Sequence, residues 1–282
     1  MLFRSLGLEQ HYARAEFAAK LLDNMLVIEE PRNITRFAIN ASQLPAKPKS
    51  LRVGAAEFPI PATDRIVVAH RDQKWSIEDD TNRVPRTGKR PGLQGPIDDA
   101  FTSPFLCVRG TGQPWNAAVQ QYADASLRRF ADEWHHYFRG ELPIKDDVAV
   151  TDDDLRLRNL ILFGDPGSNA LIAKALPKLP LAWSKETLRF GGQEYSAADH
   201  LPALIAPNPL AGASEKYVVL NSGHTFREAE LAKVNYLLFP RWGDWAVLQI
   251  TPSRPATEPL EDKVLRAGYF DEQWQLSSGR KP

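Results

Sequence analysis

Two short polar runs hold most of the side chains in this chain that could carry out chemistry. The first is Gly164-Asp165-Pro166-Gly167-Ser168-Asn169, and the second is Asn221-Ser222-Gly223-His224. A hydroxyl, an imidazole and a carboxylate are the parts of a hydrolytic relay. Ser168 or Ser222 would attack, His224 would take the proton, and Asp165 or Asp244 would orient the imidazole. The same runs suit a second role, in which Asp165, Ser168, Asn169, Asn221, Ser222 and His224 bind a small polar or anionic ligand. They also suit a third, in which they only shape two loops. Ser168 would then bond the first free N–H groups of a helix, Asp165 would hold its turn, and His224 would precede a cap. No motif decides among the three. Gly164-Asp165 opens like the Gly-Asp-Ser block of some esterases, but Pro166 stands where the nucleophile belongs. There is no Gly-x-Ser-x-Gly, hence no nucleophile elbow. Walker and Gly-x-Gly-x-x-Gly loops are absent too, so no cofactor is implied. No residue is assigned as catalytic on this ground.

Each polar run follows an apolar stretch and precedes a helical one. Asn159–Phe163 reads as a buried strand, and Ala170–Leu176 as the helix after its turn. Tyr217–Leu220 reads as a second strand. The helix after it is expected from Phe226, with Thr225 as N-cap and Glu228 completing a capping box. Strand, glycine turn and helix, twice over, predict an α/β sheet with mostly parallel strands. Leu179–Trp183 and Trp245–Ile250 add strands, and Leu188–Tyr195 adds a hairpin. Ligands of such sheets sit outside the carboxyl ends of the strands, where the six polar residues would gather.

Ahead of these lies Phe105–Val108, a short strand, and then a helical stripe. From Pro114 to Phe138 the positions Trp115, Val119, Tyr122, Ser126, Phe130, Trp134 and Phe138 recur every three or four residues, and Gly140 closes the helix. His135 and His136 near its end point about 100° apart, which disfavours a shared metal. The acidic run Asp146-Asp147 and Asp152-Asp153-Asp154 lacks the spacing of a calcium loop, whereas Thr151 and Asp154 form a capping box. No metal site is expected. Residues 1–90 differ in kind: Met25–Glu30, Ile34–Asn40, Leu51–Val53, Arg65–His70 and Lys74–Glu78 are β-type runs punctuated by prolines. The fold predicted is α/β: a small antiparallel β module over 1–90, then a three-layer Rossmann-like or flavodoxin-like domain over 91–282. Arg83–Arg90 reads as a solvated basic linker and Leu276–Pro282 as a frayed tail.

Composition narrows the function classes. The chain has 282 residues, with 35 Lys+Arg against 35 Asp+Glu, so no global electrostatic grip on nucleic acid is available. Its apolar runs are far shorter than the ~20 residues of a membrane span. Cys107 is the only cysteine and cannot form an internal disulfide. Of the seven tryptophans, Trp75, Trp115, Trp134, Trp183, Trp242, Trp245 and Trp274, two fall on the helical stripe (Trp115 and Trp134). Trp242 and Trp245, flanking Gly243-Asp244, are the candidates for an exposed surface that stacks on carbohydrate or peptide. Met1–Ser5 is neither a signal peptide nor a helix start. It is also what a common sequencing-library adapter encodes when read in frame, so the native chain is expected to extend upstream.

Gly92-Leu-Gln-Gly-Pro-Ile-Asp-Asp-Ala-Phe101, Thr151-Asp-Asp-Asp-Leu155, Leu162–Asn169, Tyr217–Glu228 and Gly268-Tyr-Phe-Asp-Glu272 resemble the C-terminal region of prolyl-oligopeptidase-like serine hydrolases of planctomycete- and verrucomicrobia-type bacteria. The likeness runs from about His11 to Trp274. It implies a periplasmic or extracellular protein, and a catalytic triad that belongs to an upstream α/β-hydrolase domain with no counterpart here. The implied role is a non-catalytic accessory portion that packs on that domain or binds its peptide, ester or carbohydrate substrate. The alternative is a self-contained esterase or peptidase using Ser168 or Ser222 with His224 and Asp165.

Overall fold

A computed structural model describes residues 2–10, 13–78, 88–212, 215–233, 238–251 and 263–276. The expected basic linker, up to position 87, and the tail beyond Leu276 lie outside the described residues. The chain divides into two compact units, Met1–Pro91 with Asp271–Gln273 and Gly92–Phe270 with Trp274–Pro282.

Among the described residues the first unit has eight strands: β1 Phe3–Gly7, β2 Ala19–Leu22, β3 Met25–Ile28, β4 Arg36–Asn40, β5 Ser50–Val53, β6 Ala56–Pro59, β7 Arg65–Arg71 and β8 Lys74–Glu78. They form two four-stranded sheets, β1-β4-β7-β8 and β2-β3-β5-β6. Ile28, Leu51 and Val53 of one sheet and Phe37, Ile39, Ile66 and Val68 of the other share one core, which makes the unit a β-sandwich. It is not wholly antiparallel as expected, because β3 and β5 run parallel from Met25–Ser50 to Ile28–Val53. The chain leaves β3 to build β4 in the other sheet and re-enters beside β3 in the same direction. Phe3–Gly7 is a strand paired with β4, and the Phe3 ring lies 4.9 Å from that of Phe17.

The second unit runs β9 Phe105–Arg109, α1 Ala117–Phe138, β10 Ile144–Asp146, α2 Asp152–Leu157, β11 Asn159–Phe163, α3 Ala170–Ala175, β12 Ala182–Trp183, β13 Thr187–Phe190, β14 Gln193–Ser196, β15 His200–Pro207, β16 Tyr217–Leu220, α4 Glu228–Leu231, β17 Trp245–Gln249 and β18 Lys263–Gly268. Its main sheet has the order β10-β9-β11-β16-β15-β17-β18. The first four strands are parallel, and β15, β17 and β18 are antiparallel to their neighbours. All five residues of β11 are buried, as a central strand covered on both faces requires. Helix α1 lays Val119, Tyr122, Ala123, Ser126, Leu127 and Phe130 into this core. No helix of the described residues is long and apolar enough to cross a membrane.

The expected three-layer domain with a mostly parallel sheet is thereby corrected. Strands hold 37% of the described residues and helices 21%, and three of the seven strands of this sheet run antiparallel to their neighbours, which makes it a mixed sheet. The decisive element is β15, which the prolines at 202 and 207 conceal. A proline in a strand must sit where no ladder bond is lost. The β15 strand satisfies this by stagger: Pro202 pairs with Val247 beyond the reach of β16, and Pro207 pairs with Tyr217 beyond the reach of β17. Leu179–Trp183 shrinks to the two residues of β12, in a separate sheet with the hairpin β13–β14. The turn of that hairpin, Gly191-Gly192, has positive φ at both positions, as a tight two-residue turn demands.

Candidate functional site

The six candidate residues are not one constellation. Asp165, Ser168, Asn169 and Asn221 lie where parallel strands β11 and β16 end. Asp165 is saturated: Oδ2 accepts from the backbone N–H groups of Trp115 (2.8 Å) and Asn116 (3.1 Å), and Oδ1 from those of Gly167 and Ser168, both 2.9 Å. It thus places a carboxylate at the start of α1, where the helix dipole favours negative charge. The Ser168 hydroxyl accepts from Asp165 N–H (3.0 Å) and donates to Asp165 O (3.3 Å). Asn169 caps α3 by accepting from Leu171 and Ile172 N–H, while its amide donates to Val108 O and Phe163 O, joining β9 to β11. Asn221 exchanges two bonds with the backbone of Gly164, at 2.9 and 3.0 Å.

The crevice at this edge is filled by the chain itself. Gly112 N–H donates to Ser168 O at 2.8 Å, and a Cβ on Gly110 would stand 2.4 Å from the same oxygen. Glycine allows that approach. Asp147 adds a further clasp, accepting from Ala170 N–H and Thr111 Oγ1. Although burial works the other way, these bonds hold its carboxyl below the usual carboxylate range.

His224 packs instead against α1, with its ring 5.2 Å from that of Phe130 and 6.2 Å from that of Phe138. After Ser222, whose hydroxyl donates to Gly223 O, the chain doubles back under α1. A Cβ on Gly223 would lie 2.7 Å from the Phe130 ring, and Phe130 packs on Phe101 and on Phe105, the first residue of β9. Thr225 does not cap a helix as expected. Its N–H and hydroxyl donate to Asp98, in the 3-10 turn Ile97–Phe101 that precedes β9, and its Oγ1 accepts from Arg241 N–H. The helix that follows is only α4, where Arg227 N–H donates to the Glu230 carboxylate.

The imidazole of His224 is 3% exposed and lies between the rings of Phe130 (5.2 Å) and Phe226 (5.7 Å). Its Nε2 is 3.0 Å from Glu133 Oε2, an ion-pair contact angled too poorly for a hydrogen bond, and neither ring nitrogen makes one. Neither serine is therefore hydrogen-bonded to His224. Burial pushes the Asp98 carboxyl upward, against the pull of the two Thr225 bonds and the His224 charge.

Asp244, the other candidate orienter, is fully buried and accepts from Phe270 N–H at 2.9 Å. Trp242 and Trp245 are buried rather than exposed; Arg266 covers the Trp245 ring at 5.6 Å. Among the described residues no cluster of three or more His, Cys, Asp or Glu is arranged to hold a metal. Sequence reasoning missed Glu133, Asp98 and a partly buried pair, His200 with Asp199, whose Nδ1–Oδ1 separation is 2.7 Å. Glu133 carried a signal: it is a carboxylate on the apolar stripe of α1, three residues past Phe130. Comparison with protein-family models, curated proteins and solved structures found no match.

Proposed function

We propose that this chain is a non-catalytic accessory portion of a prolyl-oligopeptidase-like serine hydrolase, which packs on an upstream α/β-hydrolase domain or binds its substrate. One observation carries the non-catalytic part. The hydroxyls of Ser168 and Ser222 are both engaged by backbone, and the buried imidazole of His224 bonds neither of them. A serine nucleophile needs a base within hydrogen-bond reach and an exposed approach for its substrate. Both are wanting here, which weighs against the self-contained esterase or peptidase. The family part rests on the sequence strings alone.

The test is fluorophosphonate labelling of the purified chain together with turnover of an activated ester, run beside Ser168→Ala, Ser222→Ala and His224→Ala. The expected result is no labelling and no turnover from folded protein. Labelling that one serine variant abolishes would overturn the reading. The accessory role is tested separately by titrating the chain with an α/β-hydrolase domain of the resembled family and with its peptide, ester and carbohydrate substrates. Saturable binding to either is expected, and no binding to any of them removes that part of the proposal.

A further inference from the structure

No further inference is drawn: the strongest candidate, the cleft of about 550 Å³ between Pro180-Leu181, the tip of the β13–β14 hairpin and Leu276, is walled mostly by apolar groups and by an Arg189–Glu194 pair that neutralises itself, and nothing in the structure shows what would fill it.

Discussion

Asp165→Asn separates a structural carboxylate from a catalytic one. The substitution keeps the shape of the side chain but turns one carboxylate oxygen into an NH2 group. Each oxygen of Asp165 accepts two backbone N–H groups, so either orientation of the amide loses two bonds and sets donor against donor. A hydrogen bond to a charged acceptor contributes about 1.5–3 kcal/mol, so the loss is about 3–6 kcal/mol. Whole domains are stable by only about 5–15 kcal/mol. Equilibrium urea unfolding, followed by far-UV circular dichroism, reads this directly. With a slope of about 2 kcal/mol/M the midpoint falls by about 2 M, and the slope itself is unchanged. A loss below about 1 kcal/mol would refute the reasoning, because a carboxylate whose four acceptor bonds organise two helix starts cannot be replaced so cheaply. A catalytic orienter would behave differently, losing turnover while stability held.

Asp154 is buried, and burial alone would raise its carboxyl, yet Lys145 and Thr151 hold it down at about 2. A depressed carboxyl stabilises above its unfolded value and loses that contribution as pH falls toward the folded one. Asp154→Asn is therefore expected to cost about 1–2 kcal/mol at pH 7, discounted for the partly exposed Lys145, and almost nothing at pH 2; urea titrations at both pH values measure it. Gly223→Ala drives a methyl into Phe130 and is expected to destabilise by about 1–3 kcal/mol, seen as a lower Tm in calorimetry. Glu133→Gln is expected to destabilise, since it removes the carboxylate that faces the buried His224; His224→Gln is expected to destabilise less, because Glu133 keeps Arg129 at 3.4 Å. A double-mutant cycle should show the pair losing less than the sum of the two; strict additivity would mean that the 3.0 Å contact carries no coupling.

Much of the local architecture was legible because its signals lie within a few residues. The five-residue apolar run of β11, the stripe of α1, the Thr151–Asp154 box and the Gly191-Gly192 turn each specify their own backbone. The sequence also marked Asp165, Ser168, Asn169, Asn221, Ser222 and His224 as loop residues for catalysis, ligand binding or turn shaping, without naming their partners. Those partners are remote. Asp165 holds N–H groups about fifty residues away, and Thr225 bonds Asp98 across 127 positions. The direction of the chain after Ser222 depends on Gly223 fitting against Phe130, a contact with no local trace. The sheet was misread for the same reason. An apolar run reads alike whether its neighbour is parallel or antiparallel, and only the insertion of β15 between β16 and β17 reverses the second half. Element type is a short-range property of side-chain period and backbone preference. Pairing order, strand direction and the separation of His224 from the two serines are settled by which apolar faces meet and which buried donors find acceptors, and that only the folded chain decides.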